Sequence, residues 1–209
     1  MVIRHTCLGR ALTMAFLVSV FALSPVNRPA SAEELSSQQI NDELRVSKSR
    51  SMAPDPMKPE DKAFLNRLRG RSRSLSPEDR DHIDHLLVDR PKVNLDISFD
   101  FDSADLTPRA EPQLNELGKA LTGGDLVGAV IFLGGHTDGK GTDDYNQGLS
   151  ERRVETVRRF LVEHYHIPDA NFIAAGYGKK GLKNTADPLA AENRRVEIVN
   201  AADRDQASK

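Results

Sequence analysis

The chain has 209 residues, with 29 Lys and Arg against 31 Asp and Glu, a formal net charge of −2, and 38% hydrophobic side chains. So balanced a charge excludes bulk electrostatic binding of nucleic acid. One cysteine, Cys7, excludes a disulfide framework, so a packed core has to hold the fold.

Residues 1–32 combine Arg4 and Arg10, an apolar run from Ala11 to Val26, and Ala30-Ser31-Ala32. These are the three regions of a secretory signal peptide, with cleavage expected after Ala32. The run is short for a membrane span, and a retained anchor is the alternative. Cys7 precedes the apolar core, so it is not the lipid-bearing cysteine of a lipoprotein. Loss of Arg4, Arg10 and Arg28 leaves 26 basic against 31 acidic side chains, a net of −5. No second apolar run approaches membrane length, and there is no set of amphipathic ten-residue strands sufficient for a transmembrane barrel.

Residues 33–91 read as a flexible linker carrying two short helices. The part up to about 58 is rich in Ser, Gln, Asn, Asp and Pro and is broken at Pro54-Asp-Pro56. An internal echo follows: Pro59-Glu-Asp-Lys-Ala-Phe-Leu65-Asn-Arg-Leu68 resembles Pro77-Glu-Asp-Arg-Asp-His-Ile83-Asp-His-Leu86. Each copy opens with proline and acids, as a helix start does, and sets its apolar residues on one side. With so few apolar residues the helices would dock on the domain or on a partner rather than fold alone. Between them lies an alternating basic tract, Arg67 to Arg73, either a solvated linker or a contact for anionic headgroups or an acidic protein.

Residues 92–203 alternate strands and helices, and 204–209 form a tail. The pattern predicts a first strand over Val93 to Phe99 and a helix near Pro108 to Leu121 with Leu114, Leu117 and Leu121 inward. A strand follows at 127–135, then a long helix at 143–165, a strand from Asn171 to Ala175, a loop over 179–190 and a last strand from Arg195 to Asn200. This is an α/β, two-layer β-α-β-α-β-β sandwich with helices on a mixed four-stranded sheet.

The informative stretch is GHTDGKGTDDYNQGLSERR, from Gly135 to Arg153. The apolar run Val127 to Leu133 before it reads as a central strand buried on both faces. After the loop, Thr142 or Asp143 can cap a helix whose Leu149, Val154, Val157, Phe160 and Leu161 recur at three- and four-residue spacing. Arg153 falls at the edge of that buried face, where an unpaired guanidinium is costly, so it calls for a carboxylate. Asp138, at the strand's carboxyl end, is the nearest candidate, and such strand ends are where open α/β sheets hold ligands. Two readings stand: a structural Asp138–Arg153 ion pair, or a pocket in which Asp138 takes the ammonium and Arg153 the carboxylate of a bound zwitterion.

His136, Asp138 and Asp143 do not make a metal site, since no second histidine sits at ligand spacing and Arg153 would repel a cation. Ser103 and Ser150 lack a positioned base, no nucleophile elbow is present, and the glycines at 134, 135, 139 and 141 do not form a phosphate loop. No catalytic residue and no cofactor is therefore assigned.

The order of His136-Thr-Asp138, Tyr145-Asn146, Leu149-Ser-Glu-Arg-Arg153, Gly176-Tyr-Gly178 and Asn193-Arg-Arg-Val-Glu197, with Ile97-Ser-Phe-Asp-Phe-Asp102-Ser103 upstream, resembles the peptidoglycan-binding OmpA-like domain over residues 92–200. The resemblance implies a periplasmic, wall-associated protein that binds the diaminopimelate of the peptidoglycan stem peptide. Asp138 would hold the ammonium and Arg153 the carboxylate. Asn146, Thr137, Leu149 and Asp102 correspond to pocket-lining positions, with Arg195 of the NRR motif as a further contributor. The alternative is an envelope assembly factor whose 59–90 segment binds a protein partner while the OmpA-like domain localises it.

Overall fold

The computed structural model describes residues 34–45, 57–70, 74–100 and 102–202. The expected signal peptide, the Pro54-Asp-Pro56 break, Arg71 and Arg73 of the basic tract, and the tail lie outside the described residues. Among those described, no helix is long and apolar enough to cross a membrane.

The strands are β1 (Lys92–Leu95), β2 (Ile131–His136), β3 (Phe172–Gly178) and β4 (Val196–Asn200), in the sheet order β1-β4-β2-β3. β4 runs antiparallel to both of its neighbours, and β2 pairs parallel with β3. Every residue of β2 is buried, because it is an inner strand with side chains packed on each face, but the strand begins at Ile131 rather than at 127 as expected, and Val127 is 66% exposed. The register pairs Leu133 with Ile198 and Gly134 with Glu197. The two-residue period then sends Leu95, Ile131, Leu133, Phe172, Val196 and Ile198 to one face, and Phe132, Ile173, Ala175, Tyr177 and Val199 to the other.

The first face is covered by α4 (Glu111–Thr122) and α5 (Asp143–Tyr165), through Leu114, Leu117, Leu121, Val154, Val157 and Leu161. α5 makes the crossover between the parallel strands β2 and β3. Its Thr142 cap accepts from the Tyr145 amide at 3.3 Å. Glycines let it lie close to the sheet: a Cβ at Gly135 would stand 2.7 Å from Ser150 O, and one at Gly176 2.6 Å from the Glu151 amide nitrogen. Ser150 exploits that closeness, its hydroxyl accepting from the Gly178 amide at 2.8 Å.

The N-terminal stretch departs from the spacer expectation. Ser37–Leu44 is a helix, α1, with a capping box at Ser36 and Gln39, and its Ile40 and Leu44 are fully buried in the first-face core. Leu35 and Gln113 exchange two hydrogen bonds, at 2.9 and 3.1 Å, and Asn200 donates to Leu44 O at 2.9 Å. Composition hides this helix because two apolar residues one turn apart are all it needs to bury.

α2 (Pro59–Leu68) and α3 (Pro77–Leu87) dock on the second face through Phe64, Leu65, Ile83 and Leu87, adding a layer to the two expected. Tyr177 Oη donates to Asp84 of α3 at 2.6 Å, and His82 of α3 stacks on Phe64 of α2 with centroids 4.4 Å apart.

Candidate functional site

The site grows from the carboxyl end of β2. Thr137 is buried, and its amide continues the pairing by donating to Gly178 O at 2.8 Å. The chain then turns: Asp138 Oδ1 accepts from the Lys140 amide at 3.1 Å, and Gly141 takes φ 93°, a conformation that favours glycine. Asn146, buried in the first turn of α5, donates from Nδ2 to Lys140 O at 2.7 Å. Its side-chain amide thus fixes the turn that carries Asp138, and Leu149 packs one turn further along.

Arg153 is 8% exposed. Its Nε donates to Ser103 O at 3.0 Å, and its guanidinium carbon stands 4.8 Å from the Phe99 ring centroid. Burial lowers its proton affinity first, and nearby Arg194 lowers it further, while Asp138 and Asp102 act in the opposite direction. Asp102 holds φ 55° in the turn before Ser103. Among the described residues, no carboxylate lies within ion-pair distance of Arg153. The direct Asp138–Arg153 pair is therefore not formed. Phe99 and Ser103 steer the guanidinium, and Asp138 Oδ2 is met instead by Arg194 Nη1 at 3.0 Å.

Asn193 explains how Arg194 arrives there. It is fully buried, accepts from the Asn184 amide at 2.8 Å and donates to Asp187 O at 3.0 Å, shaping the loop before β4. Gly139 N–H donates to Pro188 O at 2.8 Å and ties that loop to the Asp138 turn. Arg195, named beside Asp138 from its motif, points elsewhere. It donates to Asn94 Oδ1 at 3.1 Å and to Gly181 O at 3.0 Å, and lines a cavity with His136, Tyr177 and Glu197. The strand period sends 195 and 197 to the second face, opposite Val196. The motif named Arg195 as the contributor; the backbone brings Arg194 to Asp138 instead.

Two described cavities, of about 280 and 310 Å³, lie beside α5 and under α3, and neither includes Asp138 or Arg153. Under α3, His136 Nδ1 donates to Lys180 O at 3.2 Å and its Nε2 lies 3.7 Å from Glu197 Oε2, too far for a hydrogen bond. Among the described residues, no group of three or more His, Cys, Asp or Glu is arranged to hold a metal ion.

Residues 98–195 match the family model described as OmpA family. The chain is 40% identical over 102 residues to the peptidoglycan-associated lipoprotein of Pseudomonas aeruginosa, covering 48% of this chain and 58% of that one. It is 37% identical over 110 residues to outer membrane porin F of the same organism, covering 51% of this chain and 30% of that one. The crystal structure of the peptidoglycan-associated lipoprotein from Burkholderia pseudomallei aligns at 30% identity and a TM-score of 0.42, covering 55% of this chain and 92% of that one. The chain thus spans 58% or less of the length of these two curated relatives. Residues 98–195, which carry Asp138, Arg153 and Arg194, are an OmpA family domain.

Proposed function

We propose that residues 92–203 bind cell-wall peptidoglycan non-covalently through the diaminopimelate of the stem peptide and so anchor the protein to the wall. Asp138 takes the side-chain ammonium and Arg153 the carboxylate, with Thr137, Asn146, Leu149 and Asp102 shaping the groove. The observation that carries this reading is Arg153 itself: a largely buried guanidinium with no carboxylate partner among the described residues, steadied by Phe99 and Ser103. Such a group is costly unless a ligand supplies the anion. The name of the peptidoglycan-associated relative agrees with it. The protein would work in the periplasm after cleavage behind Ala32.

Cross-linking turns the diaminopimelate amine into a neutral amide, so uncross-linked stems are preferred. Lysine-type stems lack the second carboxylate and leave Arg153 unpaired, at a cost of about 1–3 kcal/mol. Pelleting the full chain with diaminopimelate-type and lysine-type sacculi tests this: equal binding to both would end the reading. In the alternative, a partner bound through 59–90, the apolar faces of α2 and α3 are already buried on the sheet. Any such partner would meet their charged outer faces instead.

A further inference from the structure

Asp138 is already paired. Its Oδ1 accepts from the Lys140 amide at 3.1 Å and its Oδ2 from Arg194 Nη1 at 3.0 Å, and its side chain is 20% exposed. An ammonium approaching this carboxylate therefore meets a guanidinium in its place. Arg194 is poorly anchored otherwise: its side chain is 44% exposed, and its other hydrogen bond, to Leu189 O, is long at 3.4 Å. It also opposes the charge on Arg153. A second cation added beside it would increase the crowding of positive charge, whereas rotation of Arg194 into solvent costs little.

We propose that Arg194 is a built-in competitor for Asp138, which the ammonium of the ligand displaces, so that recognition exchanges one cation for another on the same carboxylate. This rests on the zwitterion reading of the site and adds a specificity device to it. Only a group able to take over a full ion pair replaces Arg194; a neutral amide does not. Arg194 is then a residue that sets the threshold for binding rather than one that adds affinity. Because the exchange conserves charge at Asp138, it also mutes the dependence of binding on salt.

The test is calorimetric titration of the full chain, and of its Arg194→Ala, Arg194→Lys and Asp138→Ala variants, with free diaminopimelate at two ionic strengths. Removal of an exposed competing pair is expected to tighten binding by Arg194→Ala about two- to fivefold. It should also steepen the loss of affinity with salt. Arg194→Lys, which restores a cation, should return both towards the original chain. Weaker or unchanged binding by Arg194→Ala would overturn the competitor role while leaving the site intact. No binding by the unaltered chain would remove the zwitterion reading itself, and this inference with it.

Discussion

Arg153 lies over the ring of Phe99, its guanidinium carbon 4.8 Å from the centroid, so a residue of the loop after β1 orients the cation of α5. The ring contact and the hydrogen bond from Nε to Ser103 O, at 3.0 Å, together hold the guanidinium. Phe99→Ala should weaken binding of diaminopimelate by about 0.5–2 kcal/mol, roughly two- to thirtyfold. Phe99→Tyr, which keeps the ring face, should bind nearly as the original chain does. Equal affinity for Phe99→Ala would show that Arg153 needs no such support.

The close approach of α5 to the sheet should tolerate no side chain at Gly176. An added Cβ meets Ser150 Oγ at 2.5 Å and the Glu151 amide nitrogen at 2.6 Å, and backbone cannot swing aside as a side chain can. Gly176→Ala should cost about 1–3 kcal/mol in urea unfolding. Binding should fall with it, because α5 carries both Asn146 and Arg153.

α1 should behave as part of the domain. Ile40→Ala removes a fully buried side chain and should cost about 2–5 kcal/mol, measured by chemical unfolding. A deletion that begins before residue 45 therefore removes core as well as linker. Removing 59–90 alone isolates the contribution of α2 and α3, although it uncovers Phe132, Ile173 and Val199 on the second face.

Acid should weaken the fold partly through Glu197. The facing His136 imidazole, and then Lys92 and Arg195, hold its carboxyl below the ordinary 4.5 in spite of burial. A carboxyl depressed in the folded state contributes stability that is full above its unfolded value and is lost as pH falls through the folded one. The window therefore lies below about pH 4.5. Unfolding free energies of Glu197→Gln measured across that range should fall less steeply than those of the original chain. Parallel curves would remove Glu197 from the account.

The long elements were legible because their periods are unambiguous: the apolar run of β2 and the three- and four-residue spacing of α5 led directly to the strand end and helix face that carry Asp138 and Arg153. Adjacent arginines were harder. Arg194 and Arg195 look alike in sequence, and only the pairing of Gly135 with Val196 decides which one remains near Asp138. α1 escaped because its burial rests on two residues, Ile40 and Leu44, in an otherwise polar segment. The role of Phe99 could not be read either, since the contact joins residues far apart in the chain.

The most direct measurement is the affinity of the full chain for diaminopimelate-type sacculi beside Asp138→Ala and Arg153→Ala, with the folding of each variant checked by its unfolding curve. The zwitterion account predicts that each folded variant loses at least about thirtyfold in affinity. Folded variants that still bind as the original chain does would contradict it.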